Sequence, residues 1–263
     1  MIVDLHTHTR ASHDGYTEPG ELLAACLLRG VGAVAITEHD RGSRVDPTPF
    51  RDAGVELVPG CEFTTDRGAH ILGLFVAEGL PPGSAPGAVL DFIDRAGGIA
   101  VMPHPFKPCS GYLAIHGEDA HARRFSFVEA INGGWRSGES AGKIADFARR
   151  NHIRMIASSD SHRASQVALC CTRFPNPPTG GGVRQVLLNA RQEDMELLMD
   201  RSRLRSRGRR VRGFQRTAPY QAALRAVPLQ LRRLGKLLAY RVSADRCAAL
   251  PDFQVVMPES VEW

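Results

Sequence analysis

The chain opens with Met1-Ile2-Val3-Asp4-Leu5-His6-Thr7-His8-Thr9. The apolar run reads as a β-strand, and in extended backbone residues i and i+2 share a face. His6 and His8 therefore leave the strand end side by side, able to chelate one cation. Two histidines at this spacing also arise by chance, so the pair decides little alone. Recurrence gives it weight. Ala33-Val34-Ala35-Ile36-Thr37 runs into Glu38-His39-Asp40, and Glu56 to Pro59 is followed by Gly60-Cys61-Glu62. Ile99 to Met102 leads to Pro103-His104-Pro105, and Ile153 to Ala157 leads to Ser158-Ser159-Asp160-Ser161-His162. His70 opens another apolar run that ends at Val76, and Phe127 to Ile131 is a seventh. Asp14 lies in Ser12-His13-Asp14-Gly15 after the first strand.

Between most of these strands the apolar residues switch to three- and four-residue spacing, which predicts helices over Pro19 to Arg29, Ala88 to Ala96 and Ser140 to Arg150. Gly97-Gly98 and Asn151 fit helix stops. Repeated strand-then-helix order implies a mainly parallel sheet, closed or open. In a parallel barrel the functional groups gather at the carboxyl ends of strands, so these imidazoles and carboxylates would converge on one mouth. His13, His116, His121 and His152 fall in helices or loops and need no such explanation. The Pro- and Gly-rich stretch Phe174 to Val183 predicts a surface loop before a last helix near Arg184 to Arg191.

Composition narrows the class. The chain has 263 residues, 43% hydrophobic and 23% charged, with no apolar run long enough to span a bilayer. Six cysteines lack C-x-x-C spacing and the density of a disulfide scaffold, which predicts a reduced, cytoplasmic setting. Met1 leads straight into a strand, so a cleaved secretion signal is not expected. Charge is uneven: residues 201–241 hold thirteen Lys or Arg and no Asp or Glu, and subtracting thirteen from the net +5 leaves −8 for the rest. Within that stretch, 201–212 is an arginine tract. Leu224, Val227, Leu231, Leu234 and Leu238 give 219–240 a basic amphipathic pattern, interrupted by Pro228. A solvated tail and a contact with nucleic acid or an anionic membrane surface both fit.

The motifs Asp4-Leu5-His6-Thr7-His8-Thr9, Ser12-His13-Asp14-Gly15, Ala35-Ile36-Thr37-Glu38-His39-Asp40, Pro59-Gly60-Cys61-Glu62, His70-Ile71-Leu72-Gly73, His104-Pro105 and Ser159-Asp160-Ser161-His162 together resemble the PHP (polymerase and histidinol phosphatase) domain. The resemblance covers about residues 1–195 and implies a distorted seven-stranded β/α barrel; by their own charge and spacing residues 196–263 read as a basic C-terminal extension, partly helical or disordered. It further implies two or three divalent ions (Mn, Fe or Zn) at the mouth. By the same resemblance His6, His8, Glu62 and Asp160 would hold one ion, and Glu62 would bridge to a second held by His70 and His104. Asp14, His39 and His162 would hold a third. Imidazole and carboxylate suit such metals, and the absence of Cys from the set argues against a structural zinc finger. A hydroxide bridging two ions would be the nucleophile.

Two positions depart from the family pattern. Glu38 stands where the family commonly has Asp, in a position to orient the neighbouring imidazole, and His13 competes with Asp14 as third-ion ligand, Asp14 being favoured by the S-x-D-G spacing. For substrate phosphate, Arg163 is the preferred cation, ahead of Lys107 and Arg136. Asp160 and Arg163 are thus the expected catalytic pair. Cys61, beside Glu62 but without a basic activator, reads as a buried inert thiol. The expected activity is metal-dependent hydrolysis of a small phosphomonoester. A nuclease acting on short oligonucleotides and a non-catalytic metal-stabilised module are the alternatives, the last disfavoured because every ligand position holds a competent residue.

Overall fold

The structure, a computed structural model, describes residues 1–135, 140–177 and 181–200 and the backbone of Gln254–Val255. The arginine tract, the amphipathic pattern at 219–240 and Arg136 lie outside the described residues.

Seven strands form where the apolar runs predict them: β1 (Ile2–Thr7), β2 (Val31–His39), β3 (Glu56–Thr64), β4 (His70–Leu74), β5 (Ile99–Met102), β6 (Phe127–Asn132) and β7 (Arg154–Ser158). Their order in the sheet follows the chain. β1, β2 and β3 are mutually parallel, as are β5, β6 and β7, while β4 runs against both of its neighbours. The reversal has a simple cause: only five residues separate β3 from β4, enough for a hairpin and far too few for a parallel crossover. The two edges meet where Ser161, just past β7, bridges Thr7, and His8 donates its backbone N–H to Ser161 O at 2.8 Å. The result is a distorted, nearly closed barrel.

The sheet does not stop at residue 195. β8 (Cys170–Arg173) lies antiparallel to β1, β9 (Glu196–Met199) antiparallel to β8, and β10 (Gln254–Val255) antiparallel to β9. β8 also closes on β7, because the Thr172 hydroxyl both accepts from Ala157 N (2.9 Å) and donates to Ala157 O (3.0 Å). These strands are four residues or fewer, too short for an alternation pattern to stand out in sequence.

Inward-facing Val3, Leu5, Ala33, Ala35, Val58, Leu72, Leu74, Val101, Phe127 and Ile156 fill the barrel. One end is plugged by α6 (Val183–Asn189), whose Val183, Val186 and Leu187 join that core. Two charged residues at strand starts fix it there: Glu56 accepts from Val183 N at 2.7 Å, and Arg154 donates to Leu187 O (2.6 Å) and Ala190 O (2.8 Å). Both sit at amino ends of strands, so α6 seals the amino-terminal end and leaves the carboxyl-terminal mouth open. α1 (Pro19–Leu28) and α2 (Thr48–Asp52) pack Leu22, Ala25, Cys26 and Phe50 on the outside of β1 to β3. α3 (Pro86–Arg95), α4 (Tyr112–Ile115) and α5 (Ser140–Asn151) cover β3 to β7 through Val89, Leu90, Ile93, Tyr112, Ile144 and Phe147. Each such buried aliphatic or aromatic side chain contributes about 1.5–3 kcal/mol, so the mouth rests on a core to which its polar groups need not add. No helix among the described residues is long and apolar enough to cross a membrane.

Candidate metal centre

The open mouth gathers all nine expected donors. Register explains how. His39 ends β2 directly opposite Glu62 in the parallel β2–β3 ladder, so both side chains emerge at the same end. β4 is reversed, so His70 at its start lies beside the carboxyl end of β3, paired with Thr64. A residue that opens a strand thus reaches a mouth made of strand ends. His104 and Asp160, immediately after β5 and β7, have φ of 30° and 49°, in the left-handed region. Such conformations cost about 1–3 kcal/mol each and persist where surrounding contacts enforce them.

The donor atoms face one another closely. His6 Nε2 and His8 Nε2 are 3.1 Å apart, and Glu62 Oε2 lies 3.3 and 3.2 Å from them. Asp160 Oδ1 is 3.5 Å from both rings. Glu62 Oε1 lies 2.6 Å from His70 Nδ1 and 3.2 Å from His104 Nε2, while Oε2 is 3.3 Å from His39 Nδ1. Asp14 Oδ2 is 3.1 Å from His162 Nε2, and its Oδ1 is 3.4 Å from His39 Nε2. Four overlapping groups have ligand atoms within 4.8 Å of one another: His8, Asp14, His39 and His162; His6, His104 and Asp160; His6, His8 and Glu62; His39, Glu62 and His70. This grouping keeps Glu62 shared between sets, adds His8 to the Asp14 set, and exchanges His39 for His104 beside His70.

Electrostatics express the same crowding. Burial alone would push the His6 pKa down, but the Asp160, Glu129 and Glu62 carboxylates outweigh it and hold it well above the ordinary histidine range. His8, also pulled down by burial, is raised to about 9 by Asp160 and Glu62. Burial dominates for His39, lowered to about 3, and for His104, lowered to about 4 with help from Lys107. Burial would raise the three carboxylates, yet the surrounding imidazoles, joined at Asp160 by Lys107, hold Asp14, Glu62 and Asp160 far below the usual carboxylate range.

These residues suit divalent cations. The donors are imidazole nitrogens and carboxylate oxygens, buried and convergent, and His104 Nδ1 is buried with no hydrogen-bond partner among the described residues. A cluster this dense in imidazole and carboxylate donors, without cysteine, is the donor chemistry of divalent metal sites.

Behind the donors stand residues that fix the rings. Glu129 on β6, 1% exposed, accepts from His6 Nδ1 at 2.9 Å, from His104 N at 2.9 Å and from Asn132 Nδ2 at 2.7 Å. Sequence reasoning passed over Glu129; the signal was an acid in the middle of an otherwise apolar strand. Glu38 acts differently from the expected orientation of His39. Neighbours in a strand point to opposite faces, and Glu38, fully buried, accepts from Thr9 N (3.2 Å) and from the hydroxyls of Thr9 and Ser12. Ser12 Oγ in turn meets His8 Nδ1 at 3.2 Å and accepts from His39 N at 3.1 Å. The carboxylate thus supports the ring of His8 and only the backbone of His39. Asp40 accepts from Thr64 N (2.6 Å) and Thr64 Oγ1 (2.9 Å), tying the end of β2 to the end of β3.

The candidate phosphate cations separate. Lys107 Nζ reaches 3.9 Å from Asp160 Oδ2, with its side chain 32% exposed. Arg163 lays its guanidinium over the Tyr16 ring, 4.6 Å from the centroid. His13 is exposed beside the buried Asp14, 3.9 Å away. Cys61 is buried and its thiol is pushed well up, chiefly by desolvation, as an inert core thiol should be.

The PHP-associated family model matches residues 138–190. The uncharacterized protein MJ1587 of Methanocaldococcus jannaschii is 36% identical over 120 residues, 41% of this chain and 70% of its own length. A 5'-3' exoribonuclease of Haemophilus influenzae is 38% identical over 76 residues, 27% of each chain. In fold, the chain resembles a two-domain protein from Bacteroides vulgatus containing a predicted PHP-like metal-dependent phosphoesterase, with a TM-score of 0.58, 17% identity, and coverage of 75% of this chain and 64% of that one. With the ordered motifs, the barrel and the convergent donors in place, the chain belongs to the PHP family of metal-dependent phosphoesterases.

Proposed function

We propose that this hydrolase of phosphoric esters cleaves a small phosphomonoester in the barrel mouth. Its metal site would be formed by His6, His8, Asp14, His39, Glu62, His70, His104, Asp160 and His162, with two or three ions of Mn, Fe or Zn. The observation that carries the reading is the sharing of Glu62, His6, His8 and His39 among overlapping donor groups, which suits adjacent ions better than one isolated ion. When bound, such ions polarise the phosphoryl group and supply the nucleophile from water. The chain's own residues do the rest. Glu129 holds the His6 ring with its Nε2 inward, Ser12 meets the His8 ring at Nδ1, and Lys107, partly exposed at the rim beside Asp160, offers a charge-assisted donor to a phosphate oxygen. Arg163 is the weaker candidate for that role, because its guanidinium is engaged on Tyr16.

The test is metal analysis of purified protein followed by a phosphatase screen with Mn(II), Fe(II) and Zn(II). His8→Ala and Asp160→Ala should abolish turnover and leave the fold largely intact. Metal-stripped protein that hydrolysed p-nitrophenyl phosphate at the original rate would sink the proposal.

A second reading, a nuclease for short oligonucleotides, is favoured by the thirteen uncompensated cations of 201–241 and by the partial likeness to an exoribonuclease. An anionic membrane surface is the other partner those cations suit. A non-catalytic module has less support, since all nine donors are present and convergent.

A further inference from the structure

Glu129 is placed to satisfy three donors with two acceptor ends. Oε1 faces His6 Nδ1 at 2.9 Å; Oε2 takes both the backbone N–H of His104 at 2.9 Å and the Asn132 amide at 2.7 Å. The first contact acts on a side chain of β1, the second on backbone just after β5, at a residue whose φ of 30° needs external support. Glu129 itself sits on β6, next to β5 and, through β7 and the closure of the barrel, on the side of β1, so one buried carboxylate ties three strand ends together.

We propose that Glu129 is a positioning residue that fixes the His6 proton on Nδ1, and so its lone pair on Nε2 toward the other donors, while holding His104 in its left-handed conformation. The proposal rests on the metal-cluster reading above. Only a carboxylate meets the requirement. Glutamine has the same reach but a single acceptor end: with its oxygen toward His104 and Asn132, its NH₂ faces His6 Nδ1. The ring must then accept there, moving its proton to Nε2 and removing that atom as a ligand. Turned the other way, the NH₂ confronts the His104 N–H and the Asn132 amide, donor against donor. Aspartate is a methylene too short to reach both sides. Asn132 shares Oε2 with the His104 N–H and through its own Oδ1 accepts from Trp135 N.

Two measurements on the full chain decide this. In the first, protein stripped by chelator is titrated with Zn(II), and bound metal is counted. The parent should bind two or three ions. Glu129→Gln and Glu129→Asp should weaken binding by roughly 10–100-fold and lose at least one ion, as disturbed ligand support generally does. Equal affinity and stoichiometry in a folded Glu129→Gln would overturn the proposal while leaving the cluster intact, whereas a parent that binds no metal would overturn both. In the second, which needs no variant at position 129, nitrogen-15 histidine spectra of the Zn(II)-loaded parent should show His6 carrying its proton on Nδ1, identified by the signal missing from His6→Gln. A proton on Nε2 there would overturn the assignment even if Glu129→Gln failed to fold.

Discussion

Gly134 packs so tightly against Asp160 that a Cβ built on it would stand 2.8 Å from the carboxylate Cγ. The segment Asn132-Gly133-Gly134 is therefore shaped by the carboxylate beside it, with Asn132 Oδ1 accepting from Trp135 N at 2.6 Å to hold the turn. Gly134→Ala should push Asp160 away from His6 and His8. We expect metal affinity to fall by roughly tenfold to a hundredfold, the range seen when ligand support is disturbed. The Tm should change by a few degrees at most, because the barrel core is untouched. Metal titration beside thermal unfolding checks it; unchanged affinity would mean that Asp160 is not a ligand.

Asp14 and His13 are neighbours in sequence with opposite environments. Asp14 is 4% exposed and lies between His39 and His162, while the His13 side chain is 38% exposed. Gly15 makes the loop possible, since a Cβ there would collide with the Thr9 carbonyl. Asp14→Asn should lower occupancy of the site it shares with His8, His39 and His162 and reduce turnover. His13→Ala should leave both within about twofold. Metal counts and steady-state rates for the pair give the answer, and the reverse pattern would transfer the ligand role to His13.

Much of this centre was legible in the sequence because its donors sit at fixed offsets from apolar runs, and the seven barrel strands form where those runs fall. His70 was legible as a donor at a strand start, though only the β3–β4 hairpin explains why a start can reach the mouth. What stayed hidden depends on tertiary neighbours. Glu129 is 123 residues from His6, and no local pattern reports that separation. Glu38 looked like a partner of His39 because they are adjacent, whereas strand alternation sends it to Thr9 and Ser12 instead. β8 and β9 were missed for their shortness.

Lys107 should govern substrate phosphate binding more than Arg163 does. A hydrogen bond to a charged group contributes about 1.5–3 kcal/mol, and 1.4 kcal/mol is tenfold, so loss of the Lys107 contact should raise KM for a phosphomonoester roughly tenfold to a hundredfold. Lys107→Met keeps the apolar stem and removes the charge. Metal content should be unchanged, which separates substrate binding from damage to Asp160. Arg163→Gln should have the smaller effect on KM. If instead Arg163→Gln raises KM and Lys107→Met does not, the original preference for Arg163 stands.

The last prediction separates the small-molecule phosphatase from the nuclease and concerns the thirteen cations of 201–241. Cutting the chain after residue 200 would also remove β10, which pairs with β9 through Gln254 and Val255. Such a cut exposes a sheet edge as well as deleting charge. Replacing the arginines of 201–212 by glutamine keeps the length and isolates the electrostatic contribution. If the tract lies along single-stranded nucleic acid, each neutralised phosphate releases condensed counterion, and log affinity falls with log salt by roughly 0.7 per contact. The glutamine variant should then bind oligonucleotides more weakly and with a shallower salt slope than the parent. A substrate with one phosphate held by Lys107 in the mouth has no need of that tract, so turnover of small phosphomonoesters should stay within about twofold. Both chains are assayed on p-nitrophenyl phosphate and on a short single strand at two salt concentrations. An oligonucleotide activity that is steeply salt-sensitive in the parent and lost in the variant would establish the nuclease reading. A loss of small-substrate turnover in the folded variant would show that the tract completes the mouth.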